Sequence, residues 1–414
     1  MKMQKKLLTV AITASLAMLS AAPASAAEID TLRAQIEAMT KRLDQLEKQT
    51  AQAEQKAMDA EAKAEMASKS GASKGILSGN DKVRVTVSGH VNRALLWADD
   101  GDQDNVYHVD NDASSTRLRV IGEADPTNEM TVGAAMEVQF ESNSTASVNQ
   151  INDGVSVGSD NFTQRRLEVY FDNKRYGKLW VGQGWTASEG TSEVDLSGTD
   201  LAGYSATGDM AGGILFRSTT GMLSSTNVND AFANFDGRGR ADRLRYDTPT
   251  LAGFTASASV IQGDAWDTAL RYAADYNGMK IAAALAYSDP NSTSVDNRVN
   301  GSVSVLLAGG LNLTLAAGED DSVAGPDPSF YYGKVGYQTR LSNAGMTAFS
   351  VDYHSSDDVD VAGDQGTSYG LQAVQKIDAW GTEAYIGWRN YELDRVGTNL
   401  QDIDAVIAGA RVKF

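Results

Sequence analysis

The feature that most constrains the fold is a regular alternation of apolar and polar residues from about residue 82 to residue 414. In one segment Val132, Met136 and Phe140 share one parity, whereas Glu137 and Gln139 have the other. A soluble β-sandwich also alternates, but it uses shorter strands and buries its apolar face in a core. Repeated segments of about ten residues, with charged residues on the polar face, predict an all-β, 16-stranded antiparallel transmembrane β-barrel.

The predicted strands leave links that alternate between short turns and longer acidic loops, as a bacterial barrel requires. The longest loop covers about residues 186–239. A further candidate strand near 213–218 would make the number of strands odd, so we assign it to this loop. The strands are expected at 82–98, 115–124, 129–142, 163–173, 176–185, 240–249, 252–262, 267–276, 279–288, 297–308, 311–319, 330–341, 345–355, 366–377, 380–393 and 403–414.

The N-terminus has the pattern of a cleaved signal peptide over residues 1–26. Lys2, Lys5 and Lys6 precede an apolar run, and an A-x-A site ends at Ala26. A retained membrane anchor is the alternative interpretation. After Ala26 no run of about 18 apolar residues occurs, so the sequence predicts an exported protein without helical membrane spans.

Residues 27–67 show a heptad pattern that predicts an α-helical coiled-coil arm. Apolar residues at both seam positions allow a trimer. A single amphipathic helix lying on another surface is the alternative. Residues 68–81 are then expected to be a flexible linker before the barrel at 82–414. The seam of the predicted coiled coil consists of Ile29, Leu32, Ile36, Met39, Leu43 and Leu46.

Composition excludes several other classes of protein. The chain has no cysteine and only three histidines, which removes disulfide scaffolds and thiolate zinc sites and leaves little material for a catalytic triad. A formal charge of −18 disfavours binding to nucleic acid. We therefore expect no enzymatic activity and no cofactor. Aromatic residues near strand ends, among them Trp180, Trp185 and Trp388, are predicted to form interfacial girdles.

Three segments and the C-terminus resemble the general porins of Gram-negative bacteria. The segments are 115–122, 177–184 and 240–249, and the C-terminal signature consists of Gly409, Val412 and Phe414. The N-terminal arm resembles the periplasmic coiled coil of a subset of trimeric porins. The resemblance implies a homotrimer in the bacterial outer membrane, with the arm in the periplasm and the third loop folded into the lumen.

In that architecture the loop at 186–239 would narrow the pore. The implied acidic side of the constriction is Glu189, Glu193, Asp195, Asp200 and Asp209. The implied basic side, which the strand parity places in the lumen, is Arg84, Arg117, Arg119, Arg166, Lys178, Arg243 and Arg245. The alternative is that these charges merely solvate a wide lumen.

The expected function is passive diffusion of ions and small polar solutes, with weak cation preference because the external loops are acidic. Divalent ions could bridge this acidic rim to lipopolysaccharide in the surrounding lipid. Asp100, Asp102 and Asp104 begin a calcium-loop spacing, but Asn105 replaces the required glycine. The alternatives are a substrate-selective channel, for example for organic acids, and a tether to peptidoglycan through the coiled coil.

Overall fold

The computed structural model describes residues 79–154 and 161–414. The predicted signal peptide, the coiled-coil arm with its seam, and the linker up to residue 78 lie outside the described residues. Within the described part of the chain, no helix is both long and apolar enough to cross a bilayer.

Antiparallel strands dominate the described residues. Short 3-10 turns occur at Asp112–Ser114, Thr207–Met210 and Asp378–Trp380, and one short helix, α1, occurs at Val228–Ala231. The strands are β1 (Arg84–Asp99), β2 (Asp104–Asp110), β3 (Arg117–Thr127), β4 (Met130–Phe140), β5 (Phe162–Asn173), β6 (Gly177–Trp185), β7 (Leu215–Arg217), β8 (Leu223–Asn227), β9 (Arg240–Asp247), β10 (Phe254–Ile261), β11 (Trp266–Tyr276), β12 (Met279–Asp289), β13 (Val295–Leu306), β14 (Leu311–Ser322), β15 (Ser329–Ser342), β16 (Gly345–Asp357), β17 (Gln365–Ile377), β18 (Thr382–Asp394) and β19 (Ile403–Lys413).

Pairing between β1 and β19 closes the sheet into a barrel, with Leu95 opposite Ala408. The other edge of β1 pairs with β3 along its first half and with β2 along its second half. Strands β2 and β3 therefore share one position on the circumference, which leaves sixteen positions. This confirms the predicted 16-stranded barrel. The sequence prediction missed β2, because this short strand has an aspartate at each end and lies beside an acidic turn.

All sixteen predicted strands form, with ends within three residues of the predicted bounds. The candidate strand near 213–218 is β7, which pairs only with β8 and lies outside the barrel sheet, as assigned. We call the end with links 128–129, 277–278 and 343–344 the turn end, and the opposite end the loop end. The prediction of uniformly long links at the loop end is wrong for 262–265. This link turns tightly because Gly263 and Asp264 both adopt positive φ.

The two faces of each strand differ sharply in exposure. On β14, Leu313 is 50% exposed, whereas its neighbours Asn312 and Thr314 are 0% and 3% exposed. Apolar side chains thus point outward and polar side chains point inward. This is the arrangement expected for a barrel with lipid outside and water inside.

One sector of the interior is apolar instead of polar. Leu96 on β1, Tyr391 on β18 and Ile407 on β19 point inward and are buried, although neighbouring positions on these strands are also apolar. They pack against Met210 and Phe216, which belong to the loop at 186–239. The loop therefore covers this sector of the wall and keeps it from water.

Replacing Phe216 by alanine should detach this part of the loop. The side chain is fully buried, and removing a buried phenylalanine costs about 3–5 kcal/mol. Limited proteolysis of the refolded protein should then cut within 186–239 and leave the barrel intact. Met222→Ala is the control, because Met222 lies in the same loop and is 70% exposed. Equal protection of the two variants would contradict the proposed packing.

Candidate pore constriction

The loop at 186–239 lies along the inner wall after it leaves β6. The backbone N–H of Ser188 donates to Asp267 on β11 at 2.9 Å, and that of Val194 donates to the hydroxyl of Ser302 on β13 at 3.0 Å. Gln338 on β15 then donates to the carbonyl of Leu196 at 2.6 Å. Inward-pointing polar side chains of successive strands therefore bind the loop backbone as it passes.

A buried lysine holds the middle of the loop. Lys334 on β15 lies 2.7 Å from the carboxylate of Asp195, and its ammonium group also donates to Thr199 and to the carbonyl of Gly203. Lys334 is fully buried, so this charge is stable only because loop oxygens surround it. Asp195, which the sequence analysis placed on the acidic side of the constriction, is instead bound to the wall.

The loop then reaches the opposite wall. The hydroxyl of Tyr391 on β18 donates to the carbonyl of Thr207 at 2.7 Å. Asn111, just after β2, donates to the carbonyl of Leu201 at 2.8 Å, and Thr145 donates to the carbonyl of Asp209 at 2.6 Å. The loop therefore bonds to the inner wall from β11 round to the β2–β3 connection.

A cavity of about 590 Å³ remains beside the loop, against the wall formed by β3, β5, β9 and β11. Its lining has opposite charges on two sides. The acidic groups are Asp112 and the loop residues Glu189 and Glu193. The basic groups come from the barrel wall and are Arg117, Arg165, Arg240, Arg245 and Arg271.

A β-bulge brings two consecutive arginines into the lumen. The register between β4 and β5 shifts at Glu137, so Arg165 is extra on its strand. Arg165 donates to Glu137 at 2.8 Å, and Arg166 donates to Glu168 at 2.5 Å. Strand parity alone identified Arg166 and missed Arg165. The signal was present, because an arginine facing lipid costs about 2–4 kcal/mol at the bilayer centre, so consecutive arginines favour a bulge.

Carboxylates on the wall hold several arginines of the lumen in place. Glu137 accepts from Arg119 at 2.6 Å, and Glu168 accepts from Arg243. Arg245 donates to Asp247 on its own strand at 2.8 Å. Among the sequence-predicted basic residues, Arg117 and Arg245 line the cavity, and Arg119, Arg166 and Arg243 belong to these neighbouring ion pairs.

The other predicted residues lie elsewhere. Arg84 is at the turn end and pairs with Glu123 at 3.0 Å. The ammonium of Lys178 lies 4.0 Å from the ring centroids of both Tyr170 and Trp180. Asp200 is exposed to solvent.

The remaining loop carboxylate, Asp209, is half-buried and accepts a hydrogen bond from Tyr204. Of the five predicted loop carboxylates, only Glu189 and Glu193 line the cavity between the loop and the arginines.

Two of the predicted girdle tryptophans point into the lumen. The indole N–H of Trp180 donates to Asp247 at 2.8 Å, and the guanidinium of Arg243 lies 6.0 Å from its ring centroid. Trp185 lines the cavity. Trp180 has the parity of the inward-facing Lys178, so its position was readable from the sequence.

The acidic spacing at Asp100, Asp102 and Asp104 does not assemble a metal site. Both carboxylate oxygens of Asp100 accept from Arg217, at 3.0 Å and 2.8 Å. The described residues contain no group of three or more acidic, histidine or cysteine side chains that could hold a metal ion.

The C-terminal residues complete the barrel. Phe414 pairs with Gly89 through two backbone hydrogen bonds, and its ring is exposed on the outer face. Val412 is also exposed outward. At Gly409 a Cβ atom would lie 2.6 Å from the carbonyl oxygen of Arg93 on β1, so only glycine fits this approach of the closing strands.

The loop carboxylates are not simply negative at neutral pH. Burial, together with the nearby Asp236 carboxylate, raises the pKa of Glu189 to about 8. Burial and the same neighbour raise the pKa of Glu193 well above its usual value. The guanidinium groups across the cavity keep their charge at all ordinary pH values. The cavity is therefore more positive at pH 7 than a count of its charged residues indicates.

A closed barrel with an apolar outer face and a charged, loop-narrowed lumen is the architecture of an outer-membrane channel. The family model described as Gram-negative porin matches residues 13–395, and the chain belongs to this family. Members of the family are channels and not enzymes. A comparison with curated proteins found no match.

Solved porins share the fold at low sequence identity. An anion-selective porin from Comamonas acidovorans is 16% identical, with a TM-score of 0.54 over 80% of this chain and 100% of that chain. Salmonella typhi OmpF, in complex with daunomycin, is 14% identical, with a TM-score of 0.54 over 82% and 100%. In-vitro folded OmpT of Vibrio cholerae is 13% identical, with a TM-score of 0.52 over 82% and 100%.

Removing the charge of Asp195 should release the loop from the wall. Asp195→Leu and Lys334→Met each leave the partner charge buried without a counter-charge, at a cost of about 3–5 kcal/mol. The double variant Asp195→Leu/Lys334→Met should recover most of this loss, because it buries no unpaired charge. The exposed ion pair between Arg84 and Glu123 is the control, and Arg84→Gln should lower stability by only about 0–1 kcal/mol. A double-mutant cycle on the protease protection of the loop measures both effects. Additive losses of protection in the double variant would refute the proposal that the Asp195–Lys334 ion pair holds the loop.

Ion selectivity should depend on pH between 6 and 9.5. At pH 6 the Glu189 carboxyl is mostly protonated, and burial raises the pKa of Glu193 in the same direction. As pH rises through about 8 the Glu189 carboxyl ionises, so the ratio of anion to cation permeability should fall. The variant Glu189→Gln/Glu193→Gln should lose most of this pH response, with Asp112 as the remaining carboxyl of the cavity, whereas Glu129→Gln at the turn end should behave like the unmodified protein. The measurement is the reversal potential in a salt gradient. An unchanged pH response in the double variant would contradict the assignment of this response to Glu189 and Glu193.

Proposed function

We propose that this porin is a water-filled channel for passive diffusion of ions and small polar solutes across the outer membrane. The observation that carries the proposal is the cavity of about 590 Å³, where five arginines of the wall face Glu189 and Glu193 of the loop. In this proposal the loop at 186–239 is the constriction loop. Solutes pass between the loop and the arginine wall.

The separation of charge across the cavity supplies the selectivity. Charged guanidinium groups on one wall, facing loop carboxyls that are mostly neutral at pH 7, create a transverse field that orders water in the narrow region. An apolar molecule must displace this water and gains no hydrogen bonds in return, whereas a small polar solute exchanges its own hydration for wall contacts. The channel is thus expected to pass polar solutes and to retard apolar ones.

Two ion preferences follow from two different regions. Acidic segments such as 99–104 and 357–360 enrich cations at the loop end and favour the weak cation preference expected from the sequence. The cavity favours the second candidate, a channel selective for organic acids, because its guanidiniums outnumber its carboxylates and the pKa values of Glu189 and Glu193 are raised. The region with the larger barrier determines which preference is measured.

We further propose that the channel is a homotrimer. The fold matches OmpT of Vibrio cholerae, which one solved structure describes in a trimer form, with a TM-score of 0.52. The heptad pattern of residues 27–67 supports the same oligomer, with the arm in the periplasm and available to peptidoglycan. The acidic loop end is suited to divalent ions that bridge it to lipopolysaccharide.

Single-channel recording in a planar bilayer with a salt gradient tests the function. A trimeric channel should give conductance steps in groups of three, and folded barrels that never conduct would refute the proposal. A reversal potential that indicates cation selectivity supports the diffusion channel. A reversal potential that indicates anion selectivity supports the organic-acid channel. Arg240→Gln/Arg271→Gln should shift the reversal potential toward cation selectivity, whereas Arg340→Gln on an exposed part of β15 should not.

A further inference from the structure

A tryptophan and an arginine form a stacked pair in the wall of the cavity. Trp185 ends β6 and lies directly opposite Arg240, the first residue of β9, at the point where the long loop leaves the barrel. The guanidinium carbon of Arg240 lies 4.4 Å from the Trp185 ring centroid, and that of Arg165 lies 5.5 Å from it. Both residues of the pair line the cavity.

The wall fixes the backbone of Trp185 but leaves its indole N–H unused. The Trp185 carbonyl accepts from Arg243 at 2.9 Å and from Arg245 at 3.3 Å. Four other tryptophans donate their indole N–H to an aspartate, whereas that of Trp185 has no acceptor among the described residues. The four are Trp97, Trp180, Trp266 and Trp388.

Two arginines that line the same cavity also keep unused donors. The guanidinium of Arg240 makes no hydrogen bond or ion pair with any residue in the described ranges. Arg271 donates one Nη to the carbonyl of Glu189 at 2.6 Å, while its other Nη is buried without a partner there. A buried donor of this kind costs free energy until an acceptor arrives. Arg240, Arg271 and Trp185 line one cavity, so an anion that enters it meets residues whose hydrogen-bond donors have no partner in the described ranges.

We propose that the Trp185–Arg240 pair makes this cavity a binding site for planar aromatic carboxylates. The inference rests on the proposed channel function and names a solute class for it. The carboxylate would accept hydrogen bonds from Arg271 and Arg240, since guanidinium groups pair well with carboxylates. The aromatic ring would lie against the guanidinium and indole planes, because a cation is attracted to the face of a π-system.

Charge and size select this class over its neighbours. Aromatic cations carry the same charge as the wall and are repelled by it. Aliphatic carboxylates of similar size gain the ion pair but not the stacking. The cavity of about 590 Å³ falls within the range of about 300–1,000 Å³ that is typical of small-molecule sites.

Benzoate and cyclohexanecarboxylate provide a matched test, because both are monoanions with a six-membered ring and only benzoate is planar and aromatic. Each is added to one side of a bilayer that contains the full-length channel in potassium chloride, and the concentration that halves the open-channel current is measured. Benzoate should be effective at a concentration about 2- to 10-fold lower, the range expected for one aromatic contact. Trp185→Leu should abolish this difference, and Trp185→Phe should retain part of it.

Trp180→Phe is the control, because Trp180 also points inward but its indole is already bonded to Asp247. This variant should discriminate like the unmodified channel. Calorimetric titration of both acids into the detergent-solubilised protein reports binding independently of current. Equal effects of the two acids in the unmodified protein, or undiminished discrimination in Trp185→Leu, would overturn the inference. Absence of any current through the unmodified protein in potassium chloride alone would instead count against the channel function.

Discussion

The structure depends on one constraint, the need to pair every backbone polar group in a region without water. In hydrocarbon an open sheet edge leaves N–H and C=O groups without partners, and a barrel avoids this only by closing. Here the closing pair is β1 and β19, and Gly409 permits the required approach to Arg93. Closure separates the alternating faces into an outside and an inside. Each inward side chain must then contact water or be covered by other protein.

That requirement explains the position of the long loop. The inner faces of β1, β18 and β19 are apolar, as Leu96, Tyr391 and Ile407 show. Exposure of this apolar surface to water would be unfavourable. The loop covers them with its own apolar residues and is fixed at its middle by Lys334. The open passage is therefore displaced toward the polar wall of β3, β5, β9 and β11. The cavity therefore lies against the polar part of the wall, which carries the arginines.

The sequence predicts those parts of the fold that follow a period of two. All sixteen barrel strands were predictable because lipid and water impose alternate polarity on each of them. Strand β2 was not, because it covers only half of a barrel position. The bulge that turns Arg165 inward breaks the parity rule locally. The loop has no period at all, so its carboxylates could be identified but not placed. Asp195 and Glu189 are close in sequence, yet Asp195 binds Lys334 on the wall whereas Glu189 lines the cavity.

The arginines of the lumen do not contribute equally to its potential. Glu137 and Glu168 are buried against Arg119, Arg165, Arg166 and Arg243, so each of these charges is largely compensated at its own position. Arg240 and Arg271 make no ion pair with described residues, and the raised pKa of Glu189 leaves the loop opposite them mostly neutral at pH 7. In the proposed passage we therefore expect the field to originate mainly from Arg240 and Arg271, which line the same cavity as Trp185. A count of lumen charges therefore overstates the uncompensated positive charge. In the proposed channel we expect the position where β6 ends and β9 begins to determine ion selectivity.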